Sequence, residues 1–261
     1  MMSFGPVGRD GPAVTTIKEE ETMKKLLSAV LALVLALCAF AVAEGSMSYA
    51  DYDAAELETE VTITAYVQAH QSWWDGKVTI YAADQDGAYF LYETPCSEED
   101  AEKLVPGTKF TATGFKGEWS GEIELIDISN FEIIDDGDSY IAEPVDVTDL
   151  LGKDELAEKM NQRVSFKGMT VEPSTIEGDE TEYAFLYNWD GSGEDGNDLY
   201  FNVSKDGQTY NFTVESYLCG AGTDVYEAVK ALNVGDVIDL EGFLYWYNGA
   251  NPHITAVSAA E

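Results

Sequence analysis

From residue 61 onward the chain alternates apolar and polar positions in short runs, the period-two mark of strands with one face on a core. Residues 61–67 (VTITAYV) read as a first strand. Residues 77–83 (KVTIYAA) and 88–93 (AYFLYE) flank Asp84-Gln85-Asp86-Gly87, a turn sequence that predicts a hairpin. The period then lengthens. Ser97 followed by EEDAEKL, with Asp100 three residues after Ser97, predicts a short capped helix that Pro106-Gly107 stops. Residues 109–114 and 122–128 supply two more strands, joined around Gly117–Gly121. The first half therefore reads β-β-β-α-β-β, after an acidic, Tyr-rich lead-in with one helical turn within 44–58.

The second half repeats that order. Residues 149–160 predict a helix leading into a strand at 163–171. Residues 199–203 and 209–215 flank the turn Lys205-Asp206-Gly207-Gln208, 223–232 read as a helix, and 237–247 and 254–257 as closing strands. Two glycine registers coincide: Gly107, Gly114 and Gly121 match Gly235, Gly242 and Gly249, each set preceded by a helical run. A fixed spacing with matched flanks signals one structural unit used twice. Val61 corresponds to Val164, Gly87 to Gly207 and Gly114 to Gly242; the offsets grow from 103 to 120 to 128, so the second unit carries two insertions. The larger is an inserted hairpin at 176–198, with an extra strand at 183–189 and the loop 190–198. The expected domains are 47–135 and 140–258, joined by the acidic turn 135–139.

Ahead of these units, Met23-Lys24-Lys25, the apolar run 26–43 and Ala41-Val42-Ala43 before Glu44 match a signal peptide cleaved after Ala43. The expected location is secreted, at the bacterial cell exterior. A retained transmembrane helix and a lipoprotein anchored at Cys38 are the alternatives. Residues 18–23 (KEEETM) read as a translated ribosome-binding region before a start at Met23, which makes 1–22 an upstream extension of the reading frame.

Charge narrows the partners. The chain has 14 Lys+Arg against 49 Asp+Glu, a net charge of −35. Four of each sign lie in 1–43, leaving 10 basic and 45 acidic residues in 44–261. Affinity for nucleic acid comes largely from cations that neutralise phosphates, so the charge disfavours it. A nucleic-acid site would draw on Lys77, Lys109, Lys116, Lys167 and Lys205. Cys96 and Cys219 fall at equivalent places in the two units and are expected as two thiols rather than a bridge.

The order β-β-β-α-β-β, used twice, resembles the OB-fold, a partly open five-stranded Greek-key barrel with a helix between its third and fourth strands. The expected fold class is all-β with minor α: two tandem five-stranded OB-like barrels, with Gly114 and Gly242 where the fourth strand coils sharply. The chain is also similar to the tandem OB-like modules of exported bacterial proteins, including those attached to secreted nucleases, and to small secreted proteins of anaerobic gut bacteria. The resemblance covers about 47–258 and rests on pattern and topology. It implies a binding module. Nucleic-acid-binding relatives use basic and aromatic faces, and this chain keeps only the aromatics.

No nucleophilic triad, phosphate-cradling loop or zinc spacing is visible, and His70 and His253 stand alone. The aromatic candidates for ligand contact are Trp73 and Trp74 between strands one and two, Trp119 between four and five, and Tyr245 and Tyr247 in the equivalent second loop. Alternation turns Trp246 inward with Leu244, and Tyr245 and Tyr247 outward. Packing inside and between the barrels is the competing use of these rings. In the loop 190–198, Asp190, Ser192, Glu194 and Asp198 are read either as a weak Ca²⁺ site or as a plain solvated turn; no other cofactor is expected. The expected function is a secreted, non-enzymatic binder of an extracellular ligand or protein. The alternatives are a single-stranded nucleic-acid-binding module and an accessory module to a secreted enzyme.

Overall fold

A computed structural model describes residues 45–260. The signal-peptide, cleavage-site and upstream-extension expectations fall on residues 1–44, outside the described part. A short helix, α1 (Tyr49–Ala54), opens it, capped by Ser48, whose side chain accepts from Asp51 N. Five strands follow: β1 (Glu60–His70), β2 (Lys77–Ala83), β3 (Ala88–Pro95), β4 (Lys109–Trp119) and β5 (Glu122–Ile133). They close a barrel in the order β1-β2-β3-β5-β4. The helix α2 (Glu98–Ala101) lies between β3 and β4, with Ser97 Oγ accepting from Asp100 N as its cap.

The second barrel uses β7 (Arg163–Glu172), β9 (Leu199–Lys205), β10 (Gln208–Val214), β11 (Val237–Phe243) and β12 (His253–Ala259). Its order is β7-β11-β12-β10-β9, closed by the β7–β9 pairing. This is the order of the first barrel, strand for strand. The helix α3 (Asp224–Lys230) lies between the third and fourth of these strands. Two short extra strands, β6 (Val145–Asp146) and β8 (Leu186–Tyr187), add to the edges. The chain is thus a tandem OB-like, mostly β protein. Each barrel has its own apolar core, one around Ile63, Ile80, Leu91 and Phe110 and the other around Phe166, Phe201, Phe212 and Leu240.

The repeated glycines are close-approach positions. A Cβ on Gly114 would lie 2.7 Å from the Ile126 carbonyl oxygen, and one on Gly242 would overlap the His253 carbonyl. In each barrel the pairing register between the fourth and fifth strands shifts at this glycine, so the backbones cross too tightly for a side chain.

Three elements differ from expectation. The helix at 149–160 is instead two 3₁₀ turns, Thr148–Leu150 and Asp154–Lys159. Gly152, at φ +75°, divides them, and Lys153 before the second turn is extended. The strand at 183–189 shrinks to β8 and one bridge between Ser174 and Tyr183. The strand at 237–247 ends at Phe243, because Trp246 and Ala250 form their own tight bridge. Cys96 and Cys219 are both free thiols, and burial pushes the Cys219 thiol up to about 11.

A third apolar cluster joins the barrels. Tyr81 of β2, Phe90 of β3 and Phe243 of β11 meet there, with Ala69, Leu218 and Tyr245 against them. Tyr81 stacks on Phe243 at 4.4 Å between ring centroids. Direct hydrogen bonds cross the same junction: Ser72 N to the Tyr217 carbonyl at 2.7 Å, Asn248 N to the Ser120 carbonyl at 2.7 Å, and Asn161 Nδ2 to the Ile123 carbonyl at 2.9 Å.

Candidate ligand-binding cleft at the barrel junction

The loop between β1 and β2 ends in a two-residue turn. Trp74 and Lys77 exchange both backbone hydrogen bonds at 3.0 Å, with Asp75 at φ +47° and Gly76 at φ +80° between them. Asp-Gly is the pair that tolerates two positive φ values in succession. The turn lifts the Trp74 side chain into solvent, 75% exposed. Trp73 lies back at the edge of the barrel, its Nε1 donating to the Cys96 carbonyl at 2.8 Å.

Trp74 forms one wall of a cleft of about 260 Å³. Tyr92 of β3, 46% exposed, and Tyr217, 60% exposed, also line it. Tyr217 belongs to the second barrel, in the segment between β10 and α3, and its backbone is held from both sides. Its N–H donates to Glu215 Oε1 at 3.1 Å, and its carbonyl accepts from Ser72 N and Ser72 Oγ, the latter at 3.1 Å. Gln71, Thr79, Asp75 and the ion pair between Lys77 and Glu93, 2.6 Å long, supply polar groups around the rings. Flat exposed rings beside fixed donors and acceptors suit a ligand with alternating apolar faces and hydroxyl edges.

Two buried glutamates, Glu122 and Glu124, and the half-buried Glu215 adjoin this region. Glu215 lies beneath Tyr217, where burial pushes its carboxyl up to about 7. Glu124 is raised to about 7 by burial, and Glu122, with no exposed surface, to about 8, again chiefly by burial. None was legible as a site residue in sequence, nor were Tyr92 and Tyr217. Glu122 and Glu124 occur in EIELID, whose alternation is equally consistent with Ile123 and Leu125 facing the core. Both faces of β5 are covered at this point, one by its own barrel and one by the junction.

The other aromatic candidates separate. Trp119, the last residue of β4, and Tyr247, on the loop after β11, are exposed, and the adjoining turns meet through the Asn248–Ser120 hydrogen bond. Tyr245 does not face solvent as expected. It stacks on His253 at 4.4 Å and lies 5.3 Å from Phe90, because the chain leaves β11 at Phe243 and alternation no longer governs it. Leu244 is buried and Trp246 half-buried against the second core. His253 is buried and bonded to Tyr81, while His70 Nδ1 meets the Gln71 carbonyl at 2.7 Å.

The candidate side chains of the acidic loop are engaged separately. Asp198 is turned away to accept from Ser216 N at 2.8 Å and Ser216 Oγ at 2.6 Å. Asp190 closes a local turn on Ser192 N, and the backbone of Glu194 is fixed by Asn197. Asp195 is neutralised by Lys230 at 2.8 Å. Among the described residues, no three His, Cys, Asp or Glu side chains converge to hold a metal.

The five lysines available for phosphate contact are already engaged. Lys77 pairs with Glu93, and Lys109 with Asp136 and Asp138 at 2.8 and 3.1 Å. Lys167 pairs with Asp239 at 3.2 Å. Lys116, buried, donates to the carbonyls of Tyr52, Asp53 and Ala55, and Lys205 to those of Lys167 and Gly168.

No family model and no curated protein matches the chain. Solved structures similar to it include the p204 HINb domain, at 12% identity and TM-score 0.36, covering 79% of this chain and 99% of that one. Another is the Ifi202 HINa domain in complex with 20bp dsDNA, at 11% identity and TM-score 0.34, covering 78% of this chain and 100% of that one. The tetrameric p202 HIN2 is a third, at 11% identity and TM-score 0.33, covering 79% and 96%. The OB-like assignment rests on the strand order of the two barrels, which each chain segment reproduces independently.

Proposed function

We propose that this is a non-enzymatic binding module, working outside the cell, whose site is the junction cleft and whose ligand is an uncharged glycan. The observation that carries the reading is that Trp74, Tyr92 and Tyr217 present exposed rings to one cleft. The polar groups beside them include one cation, Lys77, and Glu93 neutralises it. A pyranose offers apolar faces for such rings and hydroxyls for Gln71, Asp75 and Thr79. Titrating intrinsic Trp fluorescence with cellohexaose and other soluble glycans tests it. Saturable quenching that Trp74→Ala removes supports it; no response to any glycan overturns it.

A second reading is a single-stranded nucleic-acid binder. Exposed rings on the β1–β2 and β4–β5 loops, where OB-folds take single strands, favour it, because bases stack on such rings regardless of sequence. Quenching by an oligonucleotide that weakens with added salt would establish this reading in place of the first. Silence with both ligand classes would point to a protein partner and to the accessory-module reading.

A further inference from the structure

Glu122 opens β5 and is sealed between the barrels. Its Oε2 accepts from Trp246 N at 2.7 Å. Its Oε1 is closed to solvent and has no partner. The Asn161 side chain lies against the same carboxyl and, like Trp246 N, favours its charged form, but burial outweighs both. Asn161 Nδ2 donates to the Ile123 carbonyl at 2.9 Å, and Asn161 Oδ1 is likewise sealed and unpartnered. Two buried acceptors without a donor are costly. One proton on Glu122 removes a buried charge and gives the sealed carboxyl a donor of its own.

We propose that Glu122 is a protonated latch: its carboxylic acid holds the two barrels in the arrangement that forms the junction cleft, and its deprotonation in alkaline medium loosens them. The consequence for binding rests on the cleft reading above; the latch itself does not. The groups around Glu122 offer no compensating positive charge. Glu124 lies on its own strand, Tyr52 on α1, Tyr81 on β2 and Tyr245 beyond β11. His253 of β12, bonded to Tyr81 and stacked on Tyr245, is held neutral by burial. Lys116, over the Tyr52 ring, is engaged with three backbone carbonyls.

Burial raises the folded carboxyl to about 8, above the usual carboxylate range of the unfolded chain. The stability it contributes is therefore complete below that ordinary range and is lost as pH rises through about 8. Glu124 and Glu215 act in the same direction nearer pH 7, so the Glu122 share must be isolated by difference.

Two ligand-free measurements on the full chain test the latch. With ¹³C-labelled glutamate, one side-chain carboxyl should titrate near pH 8 by NMR, and that signal should be the one missing in Glu122→Gln. Gln keeps the acceptor for Trp246 N and carries no titrating charge, so its melting temperature relative to wild type should climb between pH 6 and 9. A Glu122 carboxyl titrating in the ordinary range, or a melting difference that does not change with pH, overturns the latch. Cellohexaose quenching at pH 6 and pH 9 then reads the cleft: wild type should weaken several-fold more than Glu122→Gln, which keeps Glu124 and Glu215. A latch that passes both ligand-free tests beside an absence of quenching at every pH would overturn the glycan reading alone.

Discussion

The hydroxyl of Tyr81 and Nδ1 of His253 meet at 2.6 Å, one from each barrel, with both side chains buried. Tyr81 read in the sequence only as a strand position and His253 only as a lone histidine, yet together they form the polar centre of the junction. Tyr81→Phe keeps the stack on Phe243 and deletes only the hydroxyl, leaving His253 Nδ1 without a partner. The expected loss is about 1–3 kcal/mol, measured by urea unfolding monitored by Trp fluorescence.

His253 sets an acid limit. Burial depresses its folded value to about 3, so the folded chain keeps it neutral while the unfolded chain protonates it near 6.5. Stability from this group is complete above about pH 6.5 and falls as pH drops towards 3, by at most about 1.4 kcal/mol per pH unit. Glu122, Glu124 and Glu215, all raised by burial, gain stability over the same range, so the net profile is shallow. Substituting His253 by Gln should remove the falling component, and the difference between the two urea midpoints should grow as pH falls below about 6.5.

Lys116 anchors α1 to the first barrel. Its ammonium donates to the carbonyls of Tyr52, Asp53 and Ala55 at 3.1, 2.7 and 3.0 Å. Lys116→Met preserves the apolar stem and abandons all three, with an expected cost of about 1.5–3 kcal/mol. Hydrogen exchange should rise first in residues 49–55.

Trp74→Ala should leave stability within about 0.5 kcal/mol of wild type, since the side chain is largely solvated. The same change should abolish the quenching attributed to the cleft. Trp73→Ala removes the hydrogen bond to Cys96 and should lower the melting temperature instead.

Gly242→Ala forces a methyl group onto the His253 carbonyl at the tightest crossing of β11 and β12. A cost of about 1–3 kcal/mol is expected from overpacking, read as a lower urea midpoint. Gly76→Ala, with open space around its Cβ and a positive φ, should cost less.

The barrels were legible because most of their strands show one face to a core and the other to water. The hairpin turn before Gly87, the Ser97 cap and the paired glycines Gly114 and Gly242 then fixed their order. The junction was not legible. Glu122, Glu124 and Tyr81 lie on strands covered on both faces, where alternation carries no direction. The run DELAEK has helix-forming composition, yet it forms a 3₁₀ helix, bounded by Gly152 at positive φ on one side and Asn161 at φ +65° on the other. Tyr217 sits in a connecting segment, and its position is set by Ser72 and Glu215, which no local pattern links to it.

The clasp of Ser72 on Tyr217 has a stoichiometric consequence. The two barrels repeat one strand order, so a duplicated site would bind two ligands per chain. The cleft instead takes its first wall from the β1–β2 loop of one copy and its second from the β10–α3 segment of the other. If ligand binds at this cleft, neither copy holds the site by itself, and each chain should saturate at one ligand.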